Sequence, residues 1–275
     1  RPPRSTPKPS SAASDVYKRQ VASNRLVLNL DASDINSYPR SGTTWYDLSP
    51  YQNHGTLTNG PTHGYSDNGN HYIDFDGTND HVDFGNDSSI IALNDDDINT
   101  AQQFSFEVVI DAHTQDSGAL IMGMGSFMSS TNEFNMNIAG SNNNRFGGTV
   151  RLNLNNYRVY YAGTDDHTPI NTTQGNYQHV VMTVDETNGM YIYVNSVLAS
   201  DEQNANYSLS YIIGGHSFMT LGGNFRIGNL SFGAYVNSGY SLNGRIAIAR
   251  VYNKSLTAAE IKQNFEVQRG RFNIV

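Results

Sequence analysis

The feature that most restricts this chain is a two-residue rhythm of apolar side chains, broken at intervals by glycine and asparagine. In Phe104-Ser105-Phe106-Glu107-Val108-Val109-Ile110-Asp111, the residues Phe104, Phe106, Val108 and Ile110 fall on one side of an extended backbone, because successive side chains of a strand alternate. This predicts a strand that meets a core through Phe106 and Val108. The same rhythm predicts strands over Arg25 to Asp31, His71 to Phe75, His81 to Phe84, Glu133 to Ile138 and Thr149 to Leu154. Three more follow at His179 to Asp185, Met190 to Leu198 and Gly244 to Tyr252. Between them stand Asp76-Gly77, Asn188-Gly189, Gly214-Gly215 and Asn243-Gly244, pairs that supply the positive φ of hairpins and loops. Many short strands spaced this way imply a sandwich or barrel.

One helix is expected, from Thr257 to about Val267. Thr257 and Glu260 have the spacing of a capping box, and Ile261 and Phe265 lie one turn apart on one face. Such a helix would lie as a lid on the sandwich. At 275 residues the chain is long for one domain, yet sandwiches of this size are common and no linker or fixed-period repeat divides it.

Composition narrows the chemistry. Cysteine is absent, which excludes a disulfide framework, a thiolate metal site and a cysteine nucleophile. No apolar run approaches the roughly 18 residues of a bilayer-spanning helix. Residues 1–20 are basic and rich in Pro and Ser, with no apolar periodicity, so they are expected to be a disordered leader. Ser11 to Gln20 resembles a translated adaptor sequence, which makes this leader foreign to the native chain. Five of 17 basic residues but one of 25 acidic residues fall there, leaving 12 against 24 and a net charge of −12 for residues 21–275. A body that acidic does not suit nucleic acid or anionic membranes.

Three groups of residues then carry a resemblance. Trp45-Tyr46-Asp47-Leu48-Ser49, Asn53-His54-Gly55-Thr56-Leu57 and Phe75-Asp76-Gly77-Thr78-Asn79-Asp80-His81-Val82 resemble the opening of laminin-G-like jelly-roll domains. Gln178 to Asp185 and Tyr191 to Asn195 are similar to that family's paired central strands. Gly244 to Ala247, Arg250 to Asn253 and the helix after Leu256 are similar to its close. The resemblance implies an all-β, two-sheet antiparallel sandwich of the concanavalin A-like kind with one short C-terminal helix, over residues 21–275. It implies adhesion to carbohydrate or protein, and a structural calcium ion. The ending Gln263-Asn264-Phe265 with Arg269-Gly270-Arg271-Phe272 is similar to members carried on phage structural and tail proteins. The chain departs from the pattern at Tyr177, where the family often has Trp, at Ser196, where it often has Gly, and at Ala247, where an acidic residue is common.

Glycan-binding sandwiches stack an aromatic ring on a sugar and fix its hydroxyls with polar side chains. Asn153, Asn155, Tyr157, Tyr160 and Tyr161 offer both chemistries around one strand and turn, and Tyr235 offers a ring in a late loop. The same residues also suit plain packing over a sheet face. Asp76, Asn79 and Asp80 cluster oxygens on a tight turn as calcium prefers, although Asp and Asn also stabilise turns by bonding their own backbone. Trp45 reads as packing, and His179 as a hydrogen-bonded strand histidine with no motif-level catalytic partner. Glycosidases need two carboxylates about 5 to 9.5 Å apart, and the glutamates here are isolated in sequence, with a non-local Glu107–Glu133 pair left open. The expected function is therefore a non-catalytic module for cell-surface carbohydrate on a virion or other extracellular surface, part of a larger assembly. The alternatives are a purely structural decoration domain and a glycoside hydrolase.

Overall fold

A computed structural model describes residues 21–85, 103–113, 119–124, 133–139, 145–152, 156–161, 174–185, 189–202, 226–228, 231–232, 235–236 and 241–275. The expected leader, 1–20, lies outside them. In chain order the strands are β1 (Leu26–Asp31), β2 (Thr44–Trp45), β3 (Gly55–Thr58), β4 (Thr62–Tyr65), β5 (His71–Asp76), β6 (His81–Asp83), β7 (Gln103–Ala112), β8 (Leu120–Met124) and β9 (Glu133–Ala139). There follow β10 (Arg145–Leu152), β11 (Asn156–Tyr161), β12 (Gln178–Asp185), β13 (Gly189–Val194), β14 (Val197–Glu202), β15 (Arg226–Ile227), β16 (Ser231–Phe232), β17 (Tyr235–Val236) and β18 (Asn243–Tyr252), then helix α1 (Ala258–Phe272).

Two eight-stranded antiparallel sheets form a sandwich. The first runs β14-β13-β12-β7-β18-β5-β4, with β1 also on β18; the second runs β11-β10-β9-β8-β15-β6-β3-β2. The longest strands, β7 and β18, pair at the centre of the first sheet. The alternation read from the sequence sets the register: Phe104, Phe106, Val108 and Ile110 enter the inter-sheet core together with Val180, Met182 and Val184 of β12. From the second sheet come Leu57, Val82, Met122, Met136, Phe146 and Ile227. Trp45 is fully buried among them. A Cβ at Gly148 would stand 2.3 Å from the Met182 sulfur, so glycine there makes room for a methionine from the facing sheet.

The expected strand Met190 to Leu198 is two strands. The chain reverses at Asn195-Ser196, both at positive φ (51° and 66°), the backbone of a tight two-residue hairpin. Asn195 secures it by accepting the His179 N–H through Oδ1. Ser196 is not the glycine that such a turn favours, which is why the alternation alone concealed the break.

Helix α1 begins as its capping box requires, with Thr257 Oγ1 accepting the Glu260 N–H and Glu260 reaching back to the Thr257 N–H. It extends to Phe272, a turn beyond Val267. Gly270 weakens that last turn, yet Phe272 and Ile274 are buried against Tyr72, Val109, Tyr177, Ala247 and Ile248 and hold it down. Its first turn covers Val181 and Tyr252 through Ile261. The helix thus lies on the outer face of the first sheet, with the buried side chains Ile261, Asn264, Phe265, Gln268 and Phe272 at helical spacing.

Candidate functional site

The densest polar constellation sits under α1, with Glu107 of β7 at its centre. Glu107 Oε1 accepts from Arg250 Nη1 (2.8 Å) and His179 Nε2 (3.0 Å), and Oε2 accepts from the Tyr252 hydroxyl and Asn264 Nδ2 (both 2.8 Å). Arg250 Nε donates to Asn29 Oδ1, and Asn264 Oδ1 accepts the Ala22 N–H. Burial by itself would raise the Glu107 carboxyl, but the Arg250 charge and the His179 and Tyr252 hydrogen bonds outweigh it and hold the group down at about 2. Glu107 and His179 are 0% exposed, so no substrate reaches them. Four lone-pair positions already filled by protein donors describe a keystone joining β7, β12, β18 and α1. His179 is the hydrogen-bonded strand histidine expected, its partner 72 residues away in sequence. Glu133 belongs to β9 of the other sheet, so the two glutamates do not form a catalytic pair.

The opening motif is also scaffold. Asp47 is buried, and its Oδ1 accepts the N–H groups of Asn29 (2.7 Å) and Ser49 (2.8 Å) while Oδ2 accepts the Ser49 hydroxyl and the Asn53 N–H. A carboxylate receiving four donors is a strong local organiser, and it explains the use of Asp, Ser and Asn at these positions in the Trp45 to Asn53 stretch.

The Asp76–Asp80 turn is held by its own bonds. Asp76 Oδ1 accepts the Thr78 N–H at 2.7 Å, and Asp80 Oδ2 accepts the Asp76 N–H at 3.1 Å. The Thr78 carbonyl accepts from Ser241 Oγ, and the Asn79 carbonyl from Asn59 Nδ2, with His81 Nδ1 at 3.0 Å. Burial first, then the Asp76 and Asp74 charges, push the Asp80 carboxyl up against the pull of its backbone bond. Among the described residues no three His, Cys, Asp or Glu side chains converge as a metal site. Calcium here is thus a proposal; a thermal midpoint that moves with calcium and chelator would support it, and an indifferent one would not. Ala247, at the position where an acid is common, is fully buried beneath α1, away from this turn's partners.

The two outer faces of the sandwich differ. The first sheet's is occupied by α1, whereas among the described residues no helix packs on the second sheet's. Register lines up the second sheet in rows. Thr44, Thr56, Asp83, Arg226, Gly123, Asn135, Thr149 and Val159 form one, with Thr56 exposed and Asp83 paired to Arg226 at 2.9 Å. The next row, Leu57, Val82, Ile227, Met122, Met136, Gly148 and Tyr160, is the one that supplies the core. Opposite residues of an antiparallel pair share a face, so the first row is the outer one. Flanking it on the same face stand Glu133, Arg151 and Tyr157 on one side and Asn137, Gly147 and Tyr161 on the other. The sequence-predicted tyrosines therefore separate: Tyr157 and Tyr161 belong to the outer face of the edge strand β11, Tyr160 to the inner row. Asn153 and Asn155 lie outside the described residues. Tyr235 is on β17, whose hairpin with β16 is a third, two-stranded sheet apart from β11. Asn135 and Asn137, absent from the sequence-predicted site, share the outer face with Tyr157 and Tyr161; their place at alternate positions of Glu133–Ala139 was the signal.

Comparison with known proteins agrees with this architecture. Residues 76–262 match Laminin_G_3, a family of the concanavalin A-like lectin/glucanases superfamily. Among curated proteins, no sequence matches the chain. Solved structures with the same fold include domain 4 of AbnA, an extracellular arabinanase of Geobacillus stearothermophilus, in complex with arabinotriose (TM-score 0.58, 14% identity, 88% of this chain and 99% of that one). The binding domain of botulinum neurotoxin DC in complex with SialylT matches at TM-score 0.53 and 14% identity, over 89% of this chain and 52% of that one. A Trypanosoma rangeli sialidase matches at TM-score 0.54 and 14% identity, over 89% of this chain but 33% of its own. At such identities the likeness is one of fold. With the family match covering most of the sandwich, the chain belongs to the Laminin_G_3 family of the concanavalin A-like lectin/glucanases superfamily.

Proposed function

We propose that the domain is a non-catalytic module that binds neutral carbohydrate on the outer face of its second sheet, as part of a phage tail or other extracellular surface protein. The observation that carries this reading is the asymmetry of the sandwich. One outer face is committed to α1 and a closed hydrogen-bond network, while on the other, where no helix packs among the described residues, register lines up Thr and Asn positions with the Asp83–Arg226 pair and, on the edge strand, Tyr157 and Tyr161. Amide and hydroxyl groups match sugar hydroxyls, and a tyrosine ring matches the apolar side of a pyranose. Relatives of the fold solved with arabinotriose and with SialylT support carbohydrate as the ligand class. A purpose other than catalysis fits the carboxylates, since Glu107 is sealed and Glu133 lies in the other sheet.

A glycan array probed with the labelled domain is the direct test. Retention of at least one neutral cell-surface glycan is expected. No retention anywhere would leave a purely structural domain, and shortening of a retained polysaccharide would reveal a hydrolase.

A further inference from the structure

A separate cluster lies at the far edge of the first sheet. His63 of β4 and His71 of β5 fall on the face of Ile73 that enters the core, and the segment between β1 and β2 packs against them. Nε2 of His63 and Nδ1 of His71 are 2.9 Å apart, with the rings 7° from parallel. That separation is shorter than the contact distance of stacked rings, about 3.5 Å, so the imidazoles meet edge to edge and share one N–H···N bond. The Tyr38 ring is 5.1 Å from that of His63, and the Tyr65 ring 5.9 Å from that of His71.

Arg40 completes the group. Its guanidinium donates to the Ala32 and Ser33 carbonyls, and Ser33 Oγ accepts the His71 N–H at 2.9 Å, so guanidinium and imidazole pair flank one residue. Arg40 holds φ at 70°, a conformation that a residue with a Cβ keeps only where its surroundings enforce it. Most of a guanidinium's five donors are left after those two bonds. Burial, and then neighbouring positive groups, hold both histidines below the ordinary imidazole range; Arg40 acts on both, and no carboxylate among the described residues is one of the groups acting on either. In a chain of net charge −8, a guanidinium with donors to spare beside two imidazoles on which no described carboxylate acts forms a place for an external anion. Tyr65, 73% exposed, lays a ring in solvent beside it.

We propose that Arg40, His63 and His71 bind the carboxylate of an acidic sugar whose ring rests on Tyr65. This site is distinct from the second-sheet face, and it rests on the carbohydrate reading for the class of ligand but not for its place. The planar guanidinium suits a carboxylate through paired N–H donors, and the aromatic ring adds what a free inorganic anion cannot use.

Isothermal titration of the whole domain with sialyllactose, trigalacturonate, lactose and inorganic phosphate tests it. At least one acidic saccharide is expected to bind at least about tenfold more tightly than lactose or phosphate, and which one identifies the carboxylate as sialate or uronate. Tyr65→Ala, on an exposed side chain, and Arg40→Lys, which keeps the charge but loses the fork, should each weaken that binding about tenfold without moving retention of neutral glycans. Equal affinity for phosphate would overturn the sugar assignment. Acidic-sugar binding indifferent to both variants would overturn the site, as would binding of neutral glycans alone, which leaves the carbohydrate reading standing. Binding of no saccharide of either kind would remove both.

Discussion

At the scale of single residues, Glu107 decides most. Its carboxyl sits at about 2, below the ordinary 4.5, because Arg250 and the hydrogen bonds of His179 and Tyr252 favour the ionised form despite full burial. A depressed carboxyl contributes stability that is fully present above its unfolded value and is lost as pH falls toward its folded one. The unfolding free energy is thus expected to drop between pH 4.5 and 2, as the proton is taken up on unfolding. Glu107→Gln removes the charge and leaves Arg250 buried beside a neutral amide, at a cost of about 3 to 5 kcal/mol. Urea denaturation at pH 7 checks this; a loss below about 1 kcal/mol would show that the network is incidental. None of this was legible at Glu107 itself. Alternation placed it on the face opposite Phe106, the face usually given to solvent, and only the arrival of α1 from 157 residues away makes that face an interior.

At the scale of elements, local chemistry was readable wherever it was self-contained. The capping box of Thr257 and Glu260 starts α1 where its spacing says, and the Phe104 to Ile110 rhythm fixes the register of β7. The differences arise where tertiary packing or a costly backbone overrides local preference. Asn195-Ser196 turns without glycine, and α1 runs through Gly270 because Phe272 and Ile274 are anchored beyond it. Gly270 is helical and exposed, and a Cβ added to it would meet nothing within 4 Å. Gly270→Ala is therefore expected to raise stability by about 0.5 to 1 kcal/mol through lower unfolded-state entropy. An unchanged or lowered urea midpoint would mean that the last turn frays and that Phe272 does not hold it.

At the scale of the molecule, the described residues put a helix on the outer face of the first sheet and none on that of the second. The fold class was legible because two-residue periodicity and turn residues are local signals repeated many times. The site was less so, since a face is made of rows that cross strands far apart in sequence: Thr56, Arg226 and Thr149 come into one row only through pairing. Hence proximity in sequence groups Tyr160 with Tyr157 and Tyr161, although register assigns it to the inner row. The measurement that bears most directly on carbohydrate binding at the second sheet's outer face is the affinity of Tyr157→Ala, Tyr161→Ala and the unaltered domain for the tightest neutral glycan of the array. Each variant is expected to lose about tenfold, the worth of one ring stacked on a sugar, with the thermal midpoint unchanged. Full affinity in both variants, with the fold intact, would contradict the assignment of that face.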